Sequence, residues 1–96
     1  MPKIALSSKA ESDLDGIYEH YEDLVGAVFG EAAVFHILHC LEMLERFPNA
    51  GKASPVPDCH ELITTTYAYR ATYSLKGDRV MVFRILHQHS ERREGW

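Results

Sequence analysis

Apolar and polar residues alternate from Lys3 to Leu6, with Ile4 and Leu6 on one side, and this predicts a short strand. Ser7 and Ser8 end it. Ser8 with Glu11 makes an S-x-x-E capping box, which satisfies orphan N–H groups at a helix start. Apolar residues then recur at Ala10, Leu14, Ile17, Tyr18, Tyr21 and Val25, in steps that put them on one helical stripe. Asp13, Asp15, Glu19, Glu22 and Asp23 fall largely off that stripe, and Gly26 closes the segment. A second helix fits Val28 to about Phe47, with two adjacent apolar stripes. One is Phe29, Ala33, His36, Cys40, Met43 and Phe47; the other is Val34, Ile37, Leu38, Leu41 and Leu44. A helix that apolar needs burial on two sides, against a sheet and against a neighbouring helix or another chain. The short link at Gly26 makes the pair an antiparallel hairpin.

Pro48, Gly51, Pro55 and Pro57 mark residues 48–58 as a long loop whose prolines disallow regular structure. Glu61 to Thr66 is β-prone. From Tyr67 to Leu75 the pattern alternates, with Tyr67, Tyr69, Ala71, Tyr73 and Leu75 opposite Ala68, Arg70, Thr72 and Ser74. Gly77-Asp78 is a two-residue hairpin signal. Val80 to His87 is apolar on both faces except at Arg84, which predicts a central strand. Gln88 to Trp96 reads as a polar, basic tail. The predicted fold is α+β: one two-layer domain over residues 1–96, with an N-terminal strand, an antiparallel helix hairpin and a three-stranded antiparallel meander. The helices cover one face of the sheet and leave the other free to work.

Composition changes this picture little. The 96 residues are 46% hydrophobic and 25% charged, ordinary for one globular domain and unlike disordered or collagenous chains. No stretch reads as the run of about 18 apolar residues that a membrane span needs, and no basic-then-apolar leader opens the chain. Cys40 and Cys59 are too few for a disulfide framework, and the expected compartment is the cytoplasm.

Charge changes it more. The net charge is −4, but residues 1–48 carry three basic against nine acidic side chains, while residues 49–96 carry seven against five. An acidic half of −6 therefore precedes a weakly basic half of +2. An overall basic nucleic-acid binder is disfavoured; a local basic face is not.

Four stretches in order, LSSKAESDLDGIYEHY, LEMLERFPNAGK, ELITTTYAYRATYSL and RVMVFRILHQHSE, resemble the ParE/RelE superfamily of toxins from type II toxin–antitoxin modules, the ParE branch most closely. The resemblance rests on Ala10, Asp13-Leu14 and Ile17 in the first helix, and on Leu44, Pro48 and Gly51 after the second. Tyr69-Arg70 and Ile85-Leu86-His87 on the last strands complete it. Where the family often has Gly-Arg, this chain has Gly51-Lys52. The resemblance implies a small toxin held in a tight hetero-oligomer by a cognate antitoxin, as in plasmid-stabilisation modules. ParE-like members inhibit DNA gyrase without being enzymes, whereas RelE-like members are metal-independent ribonucleases that cut messenger RNA on the ribosome. A third alternative is an inactive member that only binds its antitoxin. The sparse basic set fits a ribosomal RNA cutter poorly, because phosphate affinity comes largely from Lys and Arg. Nucleic acid is expected only indirectly, through antitoxin or target.

Arg70, Arg84, His87 and His89 are the best candidate cluster for target binding. The same residues with Glu61 are the candidates for RNA cleavage, where His or Glu serves as acid or base and Arg clamps the phosphate. Their bland reading is that Arg70 pairs with a carboxylate and the histidines hydrogen-bond at a sheet edge. Arg92, Arg93 and Trp96 have the composition of an interaction hot spot in the tail. His36, His39 and Cys40, with Cys59-His60, have metal-compatible spacing but lack H-E-x-x-H or a paired C-x-x-C. His36 and Cys40 lie on an apolar stripe and read as core residues, so no metal and no cofactor is expected. Tyr67, Tyr69 and Tyr73 read as core beneath the helices rather than as base-stacking groups.

Overall fold

The chain forms β1 (Lys3–Leu6), α1 (Ser8–Val25), α2 (Ala27–Glu42) with a 3₁₀ turn at Met43–Glu45, β2 (Lys52–Ala53), β3 (His60–Ile63), β4 (Tyr69–Lys76) and β5 (Arg79–His87). The computed structural model describes residues 3–64 and 69–87. The strands make one five-stranded mixed sheet in the order β1-β5-β4-β3-β2. β3, β4 and β5 are the expected antiparallel meander. Two additions extend it. β1 pairs with β5 in parallel, Ile4 beside Val80 and Leu6 beside Val82. Lys52 and Ala53 pair with Glu61 and His60, so the loop of residues 48–58 is not wholly irregular as its prolines suggest. The nearest prolines, Pro48 and Pro55, flank this short strand without entering its ladder.

β5 is interior because β1 pairs along one of its edges and β4 along the other. Val80, Val82 and Ile85 turn toward the helices and join Ala10, Leu14, Ile17, Ala33, Ile37, Leu41 and Leu44 in the core. Tyr69, Ala71 and Tyr73 of β4 share that face, as their alternation predicts; Tyr67 lies outside the described residues. Leu75 belongs to the same alternation but is exposed near the hairpin end. The register shifts between Thr72 and Tyr73, where Phe83 is the extra residue on β5. This bulge explains how both Val82 and Ile85, an odd number of residues apart, face the core. At the hairpin tip Gly77 has φ of +60°, and Asp78 keeps a negative φ, the pattern of a turn with glycine first.

The helix start differs by one residue from the capping-box reading. Ser7, not Ser8, caps α1: its Oγ accepts the Ala10 N–H at 3.0 Å and donates to the Phe83 carbonyl at 2.7 Å. Ser7 wins because it also docks on β5, its own N–H reaching the Val82 carbonyl. Gly26 alone joins the two helices. Its φ of +104° is open to glycine and strained for other residues.

The two apolar stripes of α2 are buried only where they meet, along Ala33, Ile37, Leu41 and Leu44. Phe29, Met43 and Phe47 are exposed, so among the described residues the second burial that the sequence asks for is missing. The reading that no segment is apolar enough to cross a membrane is also corrected. Ala27–Glu45, with mean hydropathy 1.4, passes by length and composition. Here that helix supplies part of the core, its buried residues packing with those of α1 and the sheet.

Candidate functional site

The candidate polar cluster divides between the two faces of the sheet. Cross-strand partners share a face, so Lys52, Glu61, Thr72 and Arg84 lie in one row, and Ile63, Arg70 and Leu86 in the next, all away from the helices. His87 pairs with Tyr69 on the opposite face, the rings meeting edge to face at 5.6 Å. Arg70 and His87 are therefore not on one face, which separates the proposed phosphate clamp from the proposed acid or base. His89, Arg92, Arg93 and Trp96 lie outside the described residues.

Arg84 is tied down. Its Nε and one terminal nitrogen donate to the Asp13 carboxylate at 2.8 and 3.0 Å, and the Ile85 N–H donates to the same carboxylate at 2.9 Å. β1 stops at Leu6, so among the described residues no further strand lies beside that edge of β5 beyond Val82. Asp13, one helical turn into α1, takes over as acceptor there. The hydrogen bond from Arg84 to Asp13 raises the guanidinium's proton affinity above its ordinary value. Arg84 thus clips α1 to the sheet, whereas the bland reading places the ion pair at Arg70. Asp13 was visible in the sequence as a polar position off the apolar stripe and as part of the Asp13-Leu14 pair of the family resemblance, with no partner indicated. Its partner is 71 residues away, a separation that no local pattern reveals.

Glu61 is buried on the open face, where Ser54 Oγ donates to Oε1 at 3.3 Å. Ser54 comes from the proline-rich loop, which Tyr73 also holds. The Tyr73 hydroxyl donates to the Pro48 carbonyl and accepts the Gly51 N–H, both at 2.9 Å. Burial pushes the Tyr73 phenol up, with the Gly51 N–H pulling the other way. Gly51 has no room for a side chain, since a Cβ would lie 2.6 Å from the Glu61 carbonyl and from the Tyr73 hydroxyl. Tyr69 is pushed up to about 12, by burial first and by its hydrogen bond with Tyr21 second. Both described tyrosines of β4 are thus core groups, with no free ring for a base to stack on.

The metal-compatible residues do not converge. His36 Nε2 and Cys40 Sγ are 3.6 Å apart, and His39 faces Glu42 at 4.0 Å. Among the described residues, no group of three or more His, Cys, Asp and Glu is placed to hold an ion.

The helical hairpin presents a different surface. Leu24 and Val25 close α1, Val28 and Phe29 open α2, and Phe35 follows one stripe further along; all are exposed. Val28 is 76% and Phe35 73% exposed, and they share the α2 stripe that points away from the sheet. Glu22, Asp23 and Glu31 border this apolar tip.

The family model of the ParE toxin of the type II toxin–antitoxin system parDE matches residues 4–92. The chain belongs to the ParE toxin family. The chromosomal ParDE toxin–antitoxin system of P. aeruginosa contains a similar chain, 30% identical, with a TM-score of 0.84 over 91% of this chain and 96% of that one. The same fold occurs in the intact E. coli RelBE toxin–antitoxin complex, at 18% identity and TM-score 0.64, over 96% of this chain and 100% of that one. The isolated E. coli RelE toxin matches at 18% and 0.62, over 98% and 89%. No curated protein matches the sequence. For this ParE-family chain, the expected membership and the α+β layout follow from these comparisons. The mixed five-stranded sheet refines the expected meander.

Proposed function

We propose that this ParE-family toxin acts by binding DNA gyrase, without catalysis of its own, and that its cognate antitoxin silences it by covering the helical hairpin. The observation that carries the antitoxin half is the exposed apolar strip of Leu24, Val28, Phe29 and Phe35. A patch of this kind on a small domain marks a partner surface. The fitting occupant is an amphipathic antitoxin helix, its apolar face on the strip and basic flanks toward Glu22, Asp23 and Glu31. The gyrase half is supported by the ParE match and by the dispersal of the cleavage candidates. Arg84 is committed to Asp13, and His87 lies across the sheet from Arg70. A general acid–base pair must reach one phosphate within hydrogen-bond distance.

Induction without antitoxin tests both halves. The expected result is a DNA-damage response and filamentation with intact messenger, together with loss of supercoiling by purified gyrase when the toxin is added. Rapid messenger cleavage instead supports the ribonuclease alternative, and harmless expression supports an inactive member. The compartment proposed for all this is the cytoplasm.

A further inference from the structure

Three cations stand side by side at the hairpin end of the sheet. Lys3 of β1 is in register with Arg79 of β5, and Arg79 is in register with Lys76 of β4. The three side chains therefore project from the same face, about 5 Å from strand to strand. All three residues are exposed, and none forms an ion pair with a described carboxylate. Like charges directly opposite one another on a sheet destabilise it, and only Lys76 has an offsetting contact among the described residues, its ammonium over the Phe83 ring. Lys52, Arg70 and Arg84 occupy the same face further along. Six of the ten Lys and Arg of the chain thus have register positions on the sheet face away from the helices; Arg84 is neutralised there by Asp13, and Lys3, Lys52, Lys76 and Arg79 are the exposed ones. The acidic total of −4 conceals this, because the acidic excess is carried by the N-terminal half that forms the helices.

We propose that the open sheet face, anchored by Lys3, Arg79 and Lys76, binds the phosphate backbone of duplex DNA. The expectation of only indirect contact with nucleic acid is thereby set aside. Duplex is favoured over single strands by the lack of stacking platforms among the described residues. Tyr69 and Tyr73 face the core, and the Phe83 ring is covered by the Lys76 ammonium at 5.8 Å. Duplex is favoured over an acidic peptide by charge density. It presents one charge per about 1.7 Å of axis, so it meets a tight row of cations with several phosphates at once. The contact is expected to be sequence-independent, since cations in a row on a sheet face meet phosphates, which carry no sequence information. A toxin that engages a DNA-bound target gains from such a contact, but the inference rests on charge placement alone and stands apart from the gyrase reading.

The test is fluorescence anisotropy of a labelled random-sequence DNA duplex titrated with the isolated full chain, with no gyrase or antitoxin present. Binding is expected at 50 mM salt and should fall about 40-fold by 200 mM, the slope for roughly three neutralised phosphates. The double variant Lys76→Glu/Arg79→Glu should lose at least tenfold. Lys9→Glu/Arg46→Glu makes the same change in net charge away from this face and should lose less than threefold. Far-ultraviolet dichroism establishes that both variants are folded. Absence of binding at 50 mM salt, or equal loss in the two variants, overturns the proposal. So does tighter binding of the single-stranded oligonucleotide, or displacement of the duplex by an equal charge concentration of polyglutamate. Because gyrase is absent, failure here leaves the supercoiling result untouched, and the converse also holds.

Discussion

The helical hairpin and the sheet are held by different kinds of force. The hairpin rests on apolar packing along Leu14, Ile17, Ala33, Ile37 and Leu41, and its link is one glycine. The sheet edge and the loop of residues 48–58 rest on a few long-range polar contacts, Asp13 with Arg84 and Ile85, and Tyr73 with Pro48 and Gly51. Apolar packing is non-directional, so the hairpin tolerates an unfinished outer surface and offers it to a partner. Hydrogen-bonded contacts are directional, and leaving one half unmade is expensive. The sheet side is therefore sensitive to single atoms, while the hairpin side is sensitive to what covers it.

The sharpest way to break this contrast is Asp13→Ala. It strands Arg84 and the Ile85 N–H, with side chains only 20% and 14% exposed at Arg84 and Asp13, and should cost about 3 kcal/mol in chemical denaturation. Asp13→Asn keeps an acceptor and should recover roughly half of that. If both variants unfold like the parent, the directional account of the sheet side is wrong. Tyr73→Phe leaves the Pro48 carbonyl and Gly51 N–H without their shared hydroxyl, and a loss of about 1–2 kcal/mol is expected.

On the hairpin side, Phe35→Ser should leave stability within about 0.5 kcal/mol, since the side chain is already exposed. Antitoxin affinity, read by calorimetry, should fall at least tenfold, on the order of 1.4 kcal/mol. An unchanged affinity would move the antitoxin elsewhere.

A subtler difference is alkaline sensitivity. The folded pKa of Tyr69 is raised to about 12 from 10, so its contribution to stability is full below pH 10 and is lost as pH rises toward 12. Urea midpoints measured from pH 9 to 12 should fall less steeply in Tyr69→Phe than in the parent. The smallest effect is expected at the basic row. Arg79→Gln relieves repulsion from Lys3 and Lys76 and should stabilise the fold by about 0.5 kcal/mol.

Periodicity and turn chemistry carried much of this architecture into view from the sequence. The strand at Lys3–Leu6, the helix pair around Gly26, the Gly77-Asp78 turn and the central position of the last strand each follow from spacing within a few residues. The excess apolarity of α2 was equally legible, because a helix's exposed stripe is written in the same period as its buried one. The pairing of Asp13 with Arg84, the bulge at Phe83 that lets Val82 and Ile85 both face inward, and the alignment of Lys3, Arg79 and Lys76 were not. They arise where segments far apart in the chain meet, in registers set by how the whole core closes. The sequence by itself determined which residues are apolar, how they repeat, and that one half is acidic and the other basic. Only the tertiary structure decided that the basic residues share a face. A strand's outward positions acquire neighbours only when other strands are laid beside them, and that placement is a property of the packed sheet rather than of any one segment.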